Sequence, residues 1–195
     1  MERLVSLDQR LSLWVNQNGP SFLDPFWSFF SETVVWFPLY VLVVAFIFWR
    51  LGWKKGLVVL LTLILTVVVT DQLSVLVKNT AMRLRPCHDP WMTAQGVRCP
   101  DGNGMGLYGF FSSHASNVFG FAAGSWAALR LNVRPKGRYN LYGCLIMLWA
   151  ALASLSRVML AAHYLGDILT GTVFGLLVGL ALAYAARFLI VKAKL

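Results

Sequence analysis

The sequence predicts an all-α integral membrane protein with about five transmembrane helices and an N-terminal interfacial amphipathic helix. Three observations carry this expectation. Of the 195 residues, 58% are hydrophobic and 13% charged, and the mean hydropathy is +0.65; soluble domains do not have this composition. Several apolar runs reach the roughly 20 residues needed to cross a bilayer. The lysines and arginines gather between those runs rather than within them, as they do at the cytoplasmic ends of membrane helices. One membrane-embedded domain over residues 1–195 is the simplest organisation, without an internal repeat or a low-complexity linker.

The formal net charge of +9 does not point to nucleic acid, because no basic stripe is interleaved with stacking aromatics. Membrane-flanking cations and cations that bind a phosphorylated substrate explain it better. Glu2, Arg3, Asp8, Gln9 and Arg10 interrupt any apolar core of a cleavable signal peptide.

Residues 1–20 carry Leu4, Val5, Leu7, Leu11 and Trp14 among polar partners, the pattern of a helix lying on a membrane surface. Asn16 to Pro20 reads as a turn, and the aromatic-rich residues 21–31 as a short interfacial helix. These two make up an interfacial segment over residues 1–32. The first span is expected from about Thr33 to Trp49, with a kink at Pro38, and Arg50, Lys54 and Lys55 follow it. The second runs from about Gly56 to Val77 and holds Asp71, expected to make a packing hydrogen bond to another helix. A polar stretch then leads to about residue 110, and residues 78–111 form a candidate active-site loop, too long to be passive.

The third span, about Ser112 to Leu131, begins with Ser112, Ser113, His114, Ser116 and Asn117 and should face protein or water there. Arg130, Arg134, Lys136 and Arg138 precede the fourth span, about Leu141 to Leu160. The fifth, about Ile168 to Phe188, places Gly171, Gly175 and Gly179 at the small-xxx-small spacing of close helix packing. Cys144 reads as a buried packing thiol. Cys87 and Cys99 could form a disulfide if their loop is extracytoplasmic.

If the spans alternate, most lysines and arginines outside the motifs share one side, which the positive-inside rule makes cytoplasmic. Lys78, Arg85, His114, Arg157, His163 and Asp167 then converge on the opposite face. The stretch Ser156 to Asp167 is the centre of this group. Taken alone it also fits a helix-end histidine satisfied by a nearby aspartate. With the upstream cations it suits phosphate chemistry. Lys78, Arg85 and Arg157 can neutralise phosphoryl oxygens. His163, oriented by Asp167, can attack phosphorus, and His114 can protonate the departing oxygen. Main-chain amides around Ser112 to His114 can hold an anion at a helix start. No acidic cluster suggests a metal centre. Arg83 reads as a loop or headgroup contact, His88 as a solvated loop residue, and Tyr108, Tyr164 and Trp91 as an aromatic belt.

These residues resemble the signature of the type 2 phosphatidic acid phosphatase (PAP2) family. Lys78, six residues, Arg85-Pro86 matches its first part. Ser156-Arg157, five residues, His163, three residues, Asp167 matches its third. In the second part, Phe111-Ser112-Ser113-His114, the serine and histidine match, but Phe111 stands for proline and Ser113 for glycine. The resemblance implies a PAP2-like helical bundle and a metal-independent phosphatase without a cofactor. It also implies a phosphohistidine on His163, with His114 as acid and then base. Ser112 would join Lys78, Arg85 and Arg157 in holding the phosphate, beside Ser113.

The apolar spans make a lipid phosphate the expected substrate. An outward-facing site in a bacterial inner membrane favours undecaprenyl diphosphate or a lipid A phosphate. The run from Leu107 to Asn117 is similar to a branch that includes lipid A phosphatases. The alternatives are a phosphatidylglycerol phosphate or phosphatidate phosphatase, and a lipid-binding or transport protein without chemistry.

Overall fold

The computed structural model describes residues 2–102, 106–133 and 139–195. Arg134, Lys136 and Arg138, expected in a cationic loop, lie outside the described residues. Helices dominate: α1 (Glu2–Asn18), α2 (Asp24–Ser31), α3 (Phe37–Ala81), the short α4 (Pro90–Ala94), α5 (Ser113–Asn132), α6 (Asn140–Met159) and α7 (Leu165–Lys192).

α3 holds two of the expected spans. Its 45 residues are interrupted at Gly52, whose φ of 74° and ψ of 174° are not helical, a conformation open to glycine and costly for other residues. A straight helix of this length would measure about 68 Å. Instead Tyr40 in the first arm and Val67 in the second line the same cavity, so the chain doubles back at Gly52. Arg50, Lys54 and Lys55 sit at that bend. Pro38 does not kink a span: it lies in the first turn of α3, where its missing N–H costs nothing.

Among the described residues, three helices are long and apolar enough to cross a membrane: Val34–Ala81, Asn140–Met159 and Leu165–Lys192. α5 is not one of them, because it is the inner helix. Its Ala, Gly and Ser faces are buried on nearly every side, from Ala115 to Leu129, so it does not need the large apolar residues of a lipid-facing helix. α7 packs on it through the expected glycines. A Cβ on Gly171 would stand 2.5 Å from the Ser112 carbonyl oxygen, and one on Gly175 or Gly179 would overlap the carbonyl oxygens of Ser116 and Gly120. Close backbone approach of this kind is what small-residue interfaces permit.

The bundle has two polar ends. At one, Arg50 Nε donates to the Tyr139 hydroxyl at 2.8 Å and Arg187 to Asn132 Oδ1 at 3.2 Å, joining the α3 bend to the start of α6 and α7 to the end of α5. The other end carries the motif residues. Outward-facing Leu61, Leu76, Leu145, Leu148, Val173 and Leu177 line the belt between them. Cys144 belongs to that outer surface: it is exposed rather than buried, at an open groove it lines with Trp126 and Arg130 of α5.

α1 reverses the usual arrangement of a surface helix. Leu4, Leu7, Leu11 and Trp14 point outward, while Ser12 and Asn16 are buried. Its polar face meets protein, and its apolar face is left for lipid.

Candidate active site

The α6–α7 junction builds the centre of the site. α6 ends at Met159, and the chain reverses through Ala161 at φ 53°. The Arg157 carbonyl then accepts hydrogen bonds from the amides of Ala162 (2.8 Å) and His163 (3.1 Å). His163 therefore lies in a tight turn and not on a helix. Its closeness to Asp167 has a different origin from helical i,i+4 spacing. Asp167 is the third residue of α7, and its Oδ2 accepts from the Tyr164 amide at 3.1 Å, satisfying an amide at the helix start. This turns the carboxylate back toward the imidazole.

Asp167 Oδ2 stands 3.5 Å from His163 Nδ1, facing it at longer than ordinary hydrogen-bond length. Gly109 closes the same edge, where a Cβ would come within 3.4 Å of Nδ1 and 3.3 Å of Asp167 Oδ2. On the other edge of the ring, Arg85 NH1 is 3.4 Å from Nε2. Arg85 is held by the carbonyls of Tyr108 (3.2 Å) and Ala162 (3.1 Å). Burial, with Arg85, Arg157 and Lys78, holds the His163 pKa well below its usual 6.5. The imidazole is thus neutral at neutral pH, and the Asp167 carboxylate facing Nδ1 favours the tautomer that leaves the Nε2 lone pair toward Arg85.

The other expected residues close around this centre. Lys78, near the end of α3, donates to Ser113 Oγ at 2.8 Å. Arg157 donates to the Ser31 hydroxyl. Ser112 is fully buried. Its hydroxyl caps α5 by accepting from the Ala115 amide (3.3 Å), and its own amide donates to the Asp167 carbonyl at 3.1 Å. The peptide between Phe110 and Phe111, just before this cap, is cis. His114 Nε2 is buried without a hydrogen-bond partner. The same residue lines an apolar cavity of about 460 Å³ between the two arms of α3 and α5, together with Tyr40, Leu63, Val67 and Phe121. The site therefore joins a cationic end to an apolar one.

The sequence model of the PAP2 superfamily matches residues 55–190, well over half of the chain. The chain belongs to the PAP2 superfamily. It is 31% identical over 176 residues to a lipid A 4'-phosphatase of Bacteroides thetaiotaomicron, covering 90% of this chain and 75% of that one. It is 29% identical over 180 residues to a lipid A 4'-phosphatase of Porphyromonas gingivalis, covering 92% and 72%. Its fold resembles the transmembrane PAP2 type phosphatidylglycerolphosphate phosphatase of Bacillus subtilis, with a TM-score of 0.69 at 21% identity over 98% of this chain and 88% of that one.

Two residues of this PAP2 protein, Arg83 and Tyr164, make contacts other than those expected. Arg83 is not a loop or headgroup contact. Its NH1 reaches Asp167 Oδ1 and its NH2 reaches Asp8 Oδ2, each at 2.7 Å, and it lies 3.9 Å over the Tyr164 ring. Burial works against its charge, but the two carboxylates, Asp167 foremost, raise its pKa above the ordinary value. Tyr164 is not part of an aromatic belt: it is buried and donates to Asp89 Oδ2 at 2.6 Å. Burial and that carboxylate push its pKa up. Asp8, which the sequence marks only as a break in an apolar run, holds the far end of Arg83. The available signal was an acidic residue on the polar face of a helix whose apolar face had an obvious lipid partner.

Proposed function

We propose that this PAP2 protein removes a phosphate from a lipid A-type glycolipid through a phosphohistidine on His163, at the periplasmic face of a bacterial inner membrane. Its family, its apolar helices and its two lipid A 4'-phosphatase relatives make it a membrane lipid phosphatase. The observation that carries the reading is the double position of His114. It belongs to the motif cluster and also lines the apolar cavity, so a ligand reaching it from both directions has an anionic head and an apolar tail. The two relatives favour lipid A phosphate over undecaprenyl diphosphate.

The chemistry follows from the placement of each group. Lys78, Arg85 and Arg157 take the phosphoryl oxygens and offset the charge of the transition state. His163 Nε2, 3.4 Å from Arg85 NH1, attacks phosphorus. The P–N bond forms as the bond to the lipid oxygen breaks. His114 gives its proton to that oxygen. Asp167 beside Nδ1 stabilises the charge that appears on the ring. His114 then takes a proton from water, which attacks phosphorus, breaks the P–N bond and frees phosphate and His163.

The orientation is supported from both ends of the bundle. Arg50, Lys54, Lys55, Arg130, Arg187, Lys192 and Lys194 lie away from the motif end, as the positive-inside rule expects of the cytoplasmic side. Cys87 and Cys99, on the motif side, are joined in a disulfide, a bond suited to an oxidising compartment.

The test is phosphate release by the purified protein in mixed micelles from lipid A, undecaprenyl diphosphate, phosphatidylglycerol phosphate and phosphatidate, before and after chelation. Turnover of lipid A is expected to lead the panel, to survive chelation and to vanish in a folded His163→Ala variant. Activity in that variant removes the proposed nucleophile, and preference for another lipid removes the proposed substrate.

A further inference from the structure

α1 does more than lie on the membrane. Three of its polar residues reach the two sides of the turn that carries His163, and a fourth reaches Asp89 in the loop beside it. Asn16 Nδ2 donates to the Met159 carbonyl at 2.8 Å, at the end of α6. Ser12 Oγ accepts from the Leu165 amide and Asp8 Oδ1 from the Gly166 amide, both at 2.8 Å, at the start of α7. Gln9 donates to Asp89 Oδ2 at 2.8 Å, the oxygen that also receives the Tyr164 hydroxyl. Residues 8, 9, 12 and 16 share one helical face, so a single rigid element splints the junction from residue 159 to residue 166. Gly166 permits the approach, since a Cβ there would stand 2.7 Å from Asp8 Oδ2.

Within this splint, Asp8 also reaches Arg83. Its Oδ2 holds one end of the Arg83 guanidinium, and the other end holds Asp167 Oδ1, each at 2.7 Å. The Arg83 side chain is 23% exposed, Asp8 17% and Asp167 0%. A planar guanidinium gripped at both ends and laid on Tyr164 has one orientation. Together with the Tyr164 amide on Oδ2, that orientation sets where the buried Asp167 carboxylate stands against His163 Nδ1.

We propose that Asp8 is a positioning residue of the active site, acting through Arg83 on the Asp167–His163 pair. The proposal rests on the reading of His163 as the nucleophile. Asp8 touches neither His163 nor the cations that would hold phosphate. Its loss therefore acts on the chemical step and leaves substrate binding alone. Displacing a reacting pair by a fraction of an ångström to an ångström costs up to about 100-fold in rate.

The test uses the full chain in detergent with 4'-phosphorylated lipid A, and measures kcat, KM and thermal midpoint for Asp8→Asn, Asp8→Glu, Arg83→Gln and the double variant Asp8→Asn/Arg83→Gln. Asp8→Asn is expected to lower kcat about 10- to 100-fold, with KM and midpoint near those of wild type. Asp8→Glu is expected to recover part of the loss. Because Asp8 acts through Arg83, adding Asp8→Asn to Arg83→Gln should cost little more than Arg83→Gln alone. Wild-type kcat in Asp8→Asn overturns the proposal, as do a loss confined to KM and a loss undiminished in the Arg83→Gln background. Should Asp8→Asn fail to fold, Arg83→Lys decides. One ammonium cannot span both carboxylates, so a folded protein with reduced kcat is expected, and wild-type turnover overturns the bridge. A silent His163→Ala beside a fully active Asp8→Asn refutes only this proposal, whereas turnover by His163→Ala refutes the nucleophile reading as well.

Discussion

Lys78 Nζ lies 2.8 Å from Ser113 Oγ. The first and second motifs thus touch through the residue at which the second departs from the family pattern, where Ser113 replaces glycine. A hydroxyl that accepts from an ammonium still has its own proton to donate. Ser113 can therefore hold Lys78 in place and offer a hydrogen bond to a phosphate oxygen.

For Ser113→Ala, the loss is that of one hydrogen bond, about 1 kcal/mol, or about fivefold in affinity. KM for the lipid phosphate is expected to rise by that factor with kcat nearly unchanged. An unchanged KM would mean that the hydroxyl serves Lys78 only, and a large fall in kcat would place it in the chemical step.

His163 sets the pH behaviour. Burial, then Arg85, Arg157 and Lys78, depress its folded pKa well below 6.5. Between that depressed value and 6.5 the unfolded chain holds a proton on this residue that the folded chain does not. Stability therefore rises with pH across this window. It is fully present above 6.5 and is lost as pH falls toward the folded value. The thermal midpoint of wild type should fall more between about pH 7.5 and about pH 5 than that of His163→Asn, which has no such proton. Parallel midpoints in the two proteins would show that His163 titrates normally.

Much of the fold and of the site was legible in the sequence for a physical reason. A membrane span must satisfy its backbone internally, so length and apolarity announce it. Charges cluster where spans end. The glycines of α7 stand at helical spacing because backbone contact with α5 leaves no room for a Cβ. What was not legible depends on approach between distant segments. Nothing local to Arg83 says that its partners stand 75 positions before it and 84 after it. Tyr164 looks like an interfacial aromatic until Asp89 is seen at its hydroxyl. The polar face of α1 looks solvated until the junction of α6 and α7 is found beneath it. Cys144 lies in an apolar run, but its helix faces outward there, and in a membrane protein apolar sequence does not distinguish core from lipid-facing surface.

The disulfide between Cys87 and Cys99 joins the ends of a loop that anchors two of these hidden connections. Asp89, two residues after Cys87, takes Tyr164 and Gln9. Arg98, one residue before Cys99, donates to both carboxylate oxygens of Asp24, at 2.7 and 2.6 Å, and its amide donates to Asn16 Oδ1 at 2.8 Å. The two sulfurs are 12 positions apart in sequence, and closing a loop of about this size in the unfolded chain is worth about 3 kcal/mol. The double variant Cys87→Ser/Cys99→Ser should therefore melt several degrees below wild type. Wild type in reductant should melt with the variant, once mass spectrometry shows that the bond is open. The bond meets the turn of His163 at the Ala161 carbonyl, 3.4 Å from Cys87 Sγ, and not at the ring, so turnover well below the melting range should stay close to wild type. An unchanged midpoint after verified reduction would mean that Asp89 and Arg98 hold the loop without the bond. A large loss of turnover in the folded variant would make the loop part of the catalytic geometry itself.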